Sequence, residues 1–151
     1  MARLPMLACG LPGALVGLWS LGLCAMTVAG VNPYWTQQPV NISEAAALRD
    51  AATVVNLIRH GADPRQPYPV RAGALFERAV TMTPLEAAVA ARRAEVVDVI
   101  LSARPLDAAG WTGAACLAAS VPDEDIREVV AAHRPEGAPP DVDCASYARP
   151  W

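Results

Sequence analysis

Cys116 and Cys144 are the two cysteines in the polar part of the chain, and their chemistry depends on the compartment. In an oxidising one they can join, tying the Pro-rich stretch from Pro135 to Trp151 against the region before it and contributing about 2 to 4 kcal/mol. In a reducing one Cys116 reads equally well as a small buried core residue. His60 and His133 end two similar apolar stretches, where a cation would meet the negative end of a helix dipole; helix termination accounts for them better than catalysis. Asp123, Glu124, Asp125 and Glu128 gather after Pro122. They suggest a cation site, but acids in a first helical turn are expected for the same dipole reason. No HExxH, paired CxxC, GxSxG or GxGxxG pattern occurs. All 12 basic residues are Arg, which excludes lysine chemistry such as the phosphate-cradling P-loop and Schiff bases. A net charge of -3 gives no electrostatic footprint for nucleic acid. The residues therefore propose no catalytic group, no metal and no cofactor. Contact with a protein partner is the chemistry left to look for.

The chain of 151 residues is 54% apolar and 18% charged, outside the disordered class and within the size of one compact unit. Aromatics make up 5%, so a core must be built from Ala, Val, Leu and Ile, which favours close helix packing. No charged residue occurs between Leu4 and Ser43. Gly13 to Val31 supplies roughly the 20 apolar residues of a membrane span, with Arg3 ahead of it and Tyr34 and Trp35 beyond it at headgroup level. The expectation is an N-terminal hydrophobic helix over residues 1–31, acting as a single-pass anchor with the rest of the chain outside the cytoplasm. The alternative is a signal peptide cleaved after Thr27-Val28-Ala29, giving a periplasmic or secreted protein. Gly13 and Gly17 have the GxxxG spacing of paired membrane helices, a weak pattern taken alone. The Lys-free, Arg- and Ala-rich usage points to a GC-rich bacterial genome, where the Asn41-Ile42-Ser43 sequon has no meaning for glycosylation.

Beyond a linker at 32–42, one pattern recurs three times: Thr53 to Gly61, Val96 to Arg104 and Asp125 to His133. In each, an apolar residue is followed three and four positions later by an apolar pair, the mark of an amphipathic helix. The copies are about 43 and about 29 residues apart, near the roughly 33-residue period of one repeat class. Thr83-Pro84-Leu85-Glu86-Ala87-Ala88 resembles the T-P-L-H-x-A opening of an ankyrin repeat, and Gly61-Ala62-Asp63-Pro64 resembles the turn after its second helix. The resemblance to the ankyrin-repeat family covers residues 43–134, about three repeats. It implies an all-α fold: an ankyrin-type helical repeat stack of helix pairs with hairpin loops, behind the N-terminal helix. It also implies a non-catalytic module that binds a protein. The residues agree on their own terms. Thr83 can cap a helix whose first position suits Pro84, Gly61 suits the positive φ of a helix stop, and Ala87, Ala88, Ala90 and Ala91 permit close stacking.

Departures from that family pattern mark the ends. Glu86 stands where the family has His. Gly110 to Ala114 retains only part of the opening motif, Arg104 replaces the turn glycine, and Ser43 is the expected cap of a short first helix near Glu44 to Arg49. About ten surplus residues fall in an insertion at 65–81, and insertions in repeat arrays emerge as loops on one face, often the binding face. An extended stretch at Pro67 to Arg71 and a helical turn at Leu75 to Arg78 are expected there. The candidate partner-binding residues are Tyr68, Arg71, Phe76, Arg78, Glu86 and Trp111, the last at an expected hairpin tip. The competing reading has Phe76, Leu75 and Trp111 covering the ends of the stack. A second functional class also fits: a structural or stabilising accessory subunit of a membrane or periplasmic complex.

Overall fold

The computed structural model describes residues 16–25 and 39–151. The chain divides into two compact units, residues Met1–Gln38 and Pro39–Trp151. In the first, residues 16–25 are helical and carry exposed Val16, Leu18, Trp19 and Leu21.

The second unit contains six helices: α1 (Ile42–Ala47), α2 (Ala51–Arg59), α3 (Pro84–Ala90), α4 (Ala94–Ala103), α5 (Ala108–Ala119) and α6 (Glu124–Ala132). Strands β1 (Tyr68–Val70) and β2 (Val80–Met82) lie between α2 and α3. Short polar links fold the helices into pairs, α1 with α2, α3 with α4 and α5 with α6. The pairs lie side by side: α1 meets α3 and α3 meets α5, while α2 meets α4 and α4 meets α6. Composition explains the two rows. The first helices bury alanines, among them Ala45, Ala46, Ala87, Ala88 and Ala118, so their backbones approach closely. The second helices bury larger aliphatics, Val54, Val96, Val97, Ile100, Leu101, Ile126 and Val130.

Capping chemistry sets where each helix starts. Asp50, Asp107 and Asp123 accept hydrogen bonds from backbone N–H groups at the heads of α2, α5 and α6. Thr83 and Glu86 form a reciprocal capping box at α3, with Pro84 just inside it. α4 lacks a side-chain cap, because Arg93 occupies the cap position. α2 ends at Gly61, whose φ of +92° suits a residue without a Cβ. The equivalent turns between paired helices are made by Arg49 (φ 65°) and Arg92 (φ 55°), two side chains in the left-handed region.

Two expectations about architecture are corrected. The fold is not all-α, because Tyr68, Pro69 and Val70 pair antiparallel with Met82, Thr81 and Val80. Both triplets alternate so that Val70 and Met82 are buried while Pro69 and Thr81 face water, the period of a strand. Nor is the expected membrane helix found: among the described residues no helix is long and apolar enough to cross a membrane. The rest of the expected segment, with Gly13 of the GxxxG pair and the cleavage site before Gly30, lies outside the described residues.

Candidate partner-binding surface

The insertion is a rigid hairpin because the head of α1 grips it at three points. Asn41 caps α1 by accepting from the Glu44 N–H, and its amide donates to the Pro69 carbonyl at 2.8 Å. Ser43, expected to be the cap, donates instead to the Met82 carbonyl at 2.8 Å, satisfying a buried acceptor where β2 ends. Glu44 is 1% exposed and reaches the hairpin through Arg71, accepting from its Nε at 2.7 Å and its backbone N–H at 3.2 Å. Its other oxygen accepts from the Val40 N–H at 2.8 Å. Burial alone would raise the Glu44 pKa. The Val40 and Arg71 hydrogen bonds and the Arg71 charge outweigh it, so the carboxyl is held below its ordinary value. Beyond β1, Gly73 (φ 83°) turns the loop and donates to the Phe76 carbonyl at 2.7 Å. Residues 75–78, expected as a helical turn, are bends.

The six candidate contact residues occupy different environments. Tyr68 begins β1, half-buried, with its hydroxyl 3.4 Å from the Gln66 side-chain oxygen. Arg71 is committed to Glu44, although its side chain keeps 50% of its exposure. Arg78 is exposed on the loop. Phe76 packs on Trp151, ring centroids 6.3 Å apart. Glu86 accepts from the Thr83 N–H at 2.7 Å in the capping box, so its identity is explained by helix initiation. Trp111 is not at a hairpin tip. α5 starts at its Asp107 cap, which carries Trp111 into the helix, where it is 4% exposed. Its indole N–H donates at 2.9 Å to the Val130 carbonyl in the last turn of α6, a group with no helical partner.

At the base of the hairpin a cleft of about 180 Å³ opens between the turn after α2, the head of α3 and the end of α4. Leu85, Ile100, Leu101 and Leu106 give it an apolar floor, and Arg65 and Arg104 stand at its edge. Arg65 donates to the Pro105 carbonyl at 2.8 Å, which bridges the two sides. A partner's apolar side chain fits this volume, and a neighbouring carboxylate would meet the guanidinium groups.

The stretch 135–151 is folded onto the helices. Cys116 on α5 and Cys144 are joined by a disulfide. Val142, Tyr147 and Trp151 pack partly buried against the core, and Arg149 donates to the Ser120 carbonyl at the end of α5. Burial and then the Glu86 charge raise the Tyr147 pKa above the ordinary phenol value. The structure thus brings Trp151 onto Phe76 and Tyr147 within reach of the Glu86 charge. Sequence reasoning missed both latter residues and Glu44. The T-x-x-E spacing of Thr83 and Glu86 was a readable signal for the capping box. Nothing local announces the others.

His60, His133, Asp123 and Glu124 have partners within the fold. His60 caps α2, its ring on the Asn56 carbonyl at 2.8 Å, and His133 caps α6 while its Nε2 lies 2.7 Å from Asp98 of α4. Asp123 caps α6 and Glu124 pairs with Arg127. Among the described residues no group of three or more His, Cys, Asp or Glu side chains could hold a metal ion. Comparison with protein-family models, curated proteins and solved structures finds no match to this chain.

Proposed function

We propose that this chain is a protein-binding module that works outside the cytoplasm, recognising its partner through the hairpin at 68–82 and the cleft at its base, with no catalytic step. The observation that carries the reading is the clamp on the hairpin. Three side chains at the head of α1, Asn41, Ser43 and Glu44, hold it at Pro69, Met82 and Arg71, and a preorganised hairpin loses little entropy on binding. Kinship with the ankyrin-repeat family is part of the proposal. It is supported by Thr83 to Ala88 opening α3 and by Gly61 to Pro64 following α2. Export is supported by the Cys116–Cys144 disulfide, a bond that persists in oxidising compartments, and by the uncharged run from Leu4 to Ser43.

Photocrosslinking tests the surface. A photoreactive residue is placed at Arg78 and, as a control, at exposed Glu128 on α6. A single saturable protein adduct from position 78 and none from position 128 is the expected result. Equal labelling from both positions, or none from position 78, would refute the assignment. An adduct of fixed stoichiometry whose yield is not lowered by unlabelled protein added before irradiation would instead make the chain a structural subunit.

A further inference from the structure

Residues 145–151 cross three elements of the chain's own surface without forming helix or strand. The disulfide fixes the start of this stretch on α5. Tyr147 is half-buried, close enough to Glu86 in the first turn of α3 to feel its charge. The Arg149 guanidinium donates to the Ser120 carbonyl, one of the acceptors left over where α5 ends. Trp151 lies on Phe76 in the hairpin loop, the two rings tilted by 31°. Ala145, Ser146, Ala148 and Pro150 face solvent. After a turn closed by the Tyr147 N–H on the Cys144 carbonyl, the stretch therefore touches the surface the way a bound peptide does, through the alternate side chains Tyr147, Arg149 and Trp151.

We propose that this surface, from Ser120 past Glu86 to Phe76, is a docking surface for a short peptide bearing two aromatic side chains on either side of an arginine, and that residues 145–151 are its internal occupant. The natural partner, on this view, presents a segment of the same chemistry and displaces the occupant. The inference rests on the protein-binding reading above and narrows the class of partner. Each recognition element has a physical basis. Phe76 offers an aromatic face for a tilted ring pair, and the end of α5 offers carbonyls to a guanidinium. Covalent attachment gives the internal segment an effective concentration on the order of millimolar, so a competing segment must bind more tightly than that or wait for the internal one to lift.

The test needs no knowledge of the natural partner. The probe is a synthetic peptide, Ala-Ser-Tyr-Ala-Arg-Pro-Trp, amidated at its tail and carrying a fluorophore on its N-terminal nitrogen, so that neither terminus is charged. Its binding is followed by anisotropy to three proteins: the full chain, the full chain with Tyr147→Ala and Trp151→Ala, and a chain ending at Cys144 that retains the disulfide. Saturable binding to the two altered proteins, at least tenfold tighter than to the full chain, is expected. Adding Phe76→Ala to either should weaken it at least tenfold, as should replacing the peptide's Tyr or Trp by Ala. Equal affinity for the intact and altered proteins, binding indifferent to Phe76, or no binding to either altered protein would overturn the proposal. Circular dichroism confirms that the altered proteins are folded, and two independent alterations guard against loss of one. Failure of position 78 to crosslink a partner would sink the functional reading while leaving the peptide result untouched.

Discussion

Replacing Cys116 and Cys144 by alanine should weaken the second unit by an amount that the chain's connectivity sets. The disulfide closes a loop with a sequence separation of 28. Loop-closure entropy for that length amounts to about 3.6 kcal/mol at 25 °C, on the model in which the link acts by restricting the unfolded chain. For a unit of about 110 residues, an unfolding entropy of about 2.1 cal/mol/K per residue converts this to a fall in Tm of about 15 °C. The assay is urea unfolding followed by far-ultraviolet circular dichroism, on the oxidised protein, the same protein under a phosphine reductant, and the double variant. Reduced protein and variant should agree with each other and lie about 3 kcal/mol below the oxidised form. Their m-values should be larger, because an unlinked chain exposes more surface when it unfolds. The variant should be insensitive to reductant. Midpoints for oxidised and reduced protein that agree to within about 0.5 kcal/mol would refute the reasoning, since a 28-residue link cannot leave the unfolded ensemble unchanged. A full loss in stability with no change in m would place the effect in the native contacts of residues 135–151 and not in the unfolded chain.

Three further outcomes follow from single side chains. Glu44→Gln turns an amide N–H toward donors that now meet a carboxylate and should cost about 2 to 3 kcal/mol by urea unfolding. Because the Glu44 pKa is depressed in the folded state, its contribution is present above the ordinary carboxylate pKa and is lost as pH falls through the folded value. Stability of the parent chain should therefore decline with acid below about pH 4.5 more steeply than that of the glutamine variant, and parallel slopes would contradict the assignment. Trp111→Phe retains an aromatic ring but leaves the Val130 carbonyl without its indole donor; a loss of about 1 to 3 kcal/mol by thermal unfolding is expected. Arg93→Asp supplies α4 with the cap that α2, α5 and α6 possess and removes a cation from the positive end of its dipole. A gain of about 1 kcal/mol in urea unfolding is expected, and no gain would show that the α4 head is satisfied in another way.

What could be read from the sequence is what local rules govern. The three periodic stretches lie in α2, α4 and α6, Thr83-Pro84 starts α3, and Gly61 follows α2 with positive φ, because spacing, caps and glycine act within a few residues. Two of the misreadings involve partners distant in the chain. Ser43 looked like a cap because it precedes a helix, but a carbonyl 39 residues away claims its hydroxyl. Trp111 looked exposed because its surroundings resemble a degenerate loop motif, yet it fills a gap left by an α6 carbonyl 19 residues on. The strands are three residues each, too short for alternation to stand out beside Pro67, Pro69 and Gly73. Of the proposed contact surface, the insertion itself was legible as surplus length. Its clamp was not, since Glu44 sits among alanines on a short helix and nothing nearby signals that it is buried.

The clamp and the segment 145–151 together impose an order on how the surface can work. The hairpin is held from below by Glu44, whose bonds are buried, so its strands stay in place when a partner arrives. Residues 145–151 are held from above by one ring pair, one guanidinium and a half-buried phenol, so they are the part free to move. Deprotonation offers a way to separate the two. Tyr147 ionises above the ordinary phenol pKa, so its contribution is complete below about pH 10 and is lost as pH rises through the folded value. Lifting of residues 145–151 should then appear as increased solvent quenching of Trp151, in a pH range where Glu44 remains ionised and the hairpin remains clamped. Tyr147→Phe, which has no proton to lose, should show no such step. If the step persists in that variant, another group controls the docking, and the phenol is only a neighbour of Glu86.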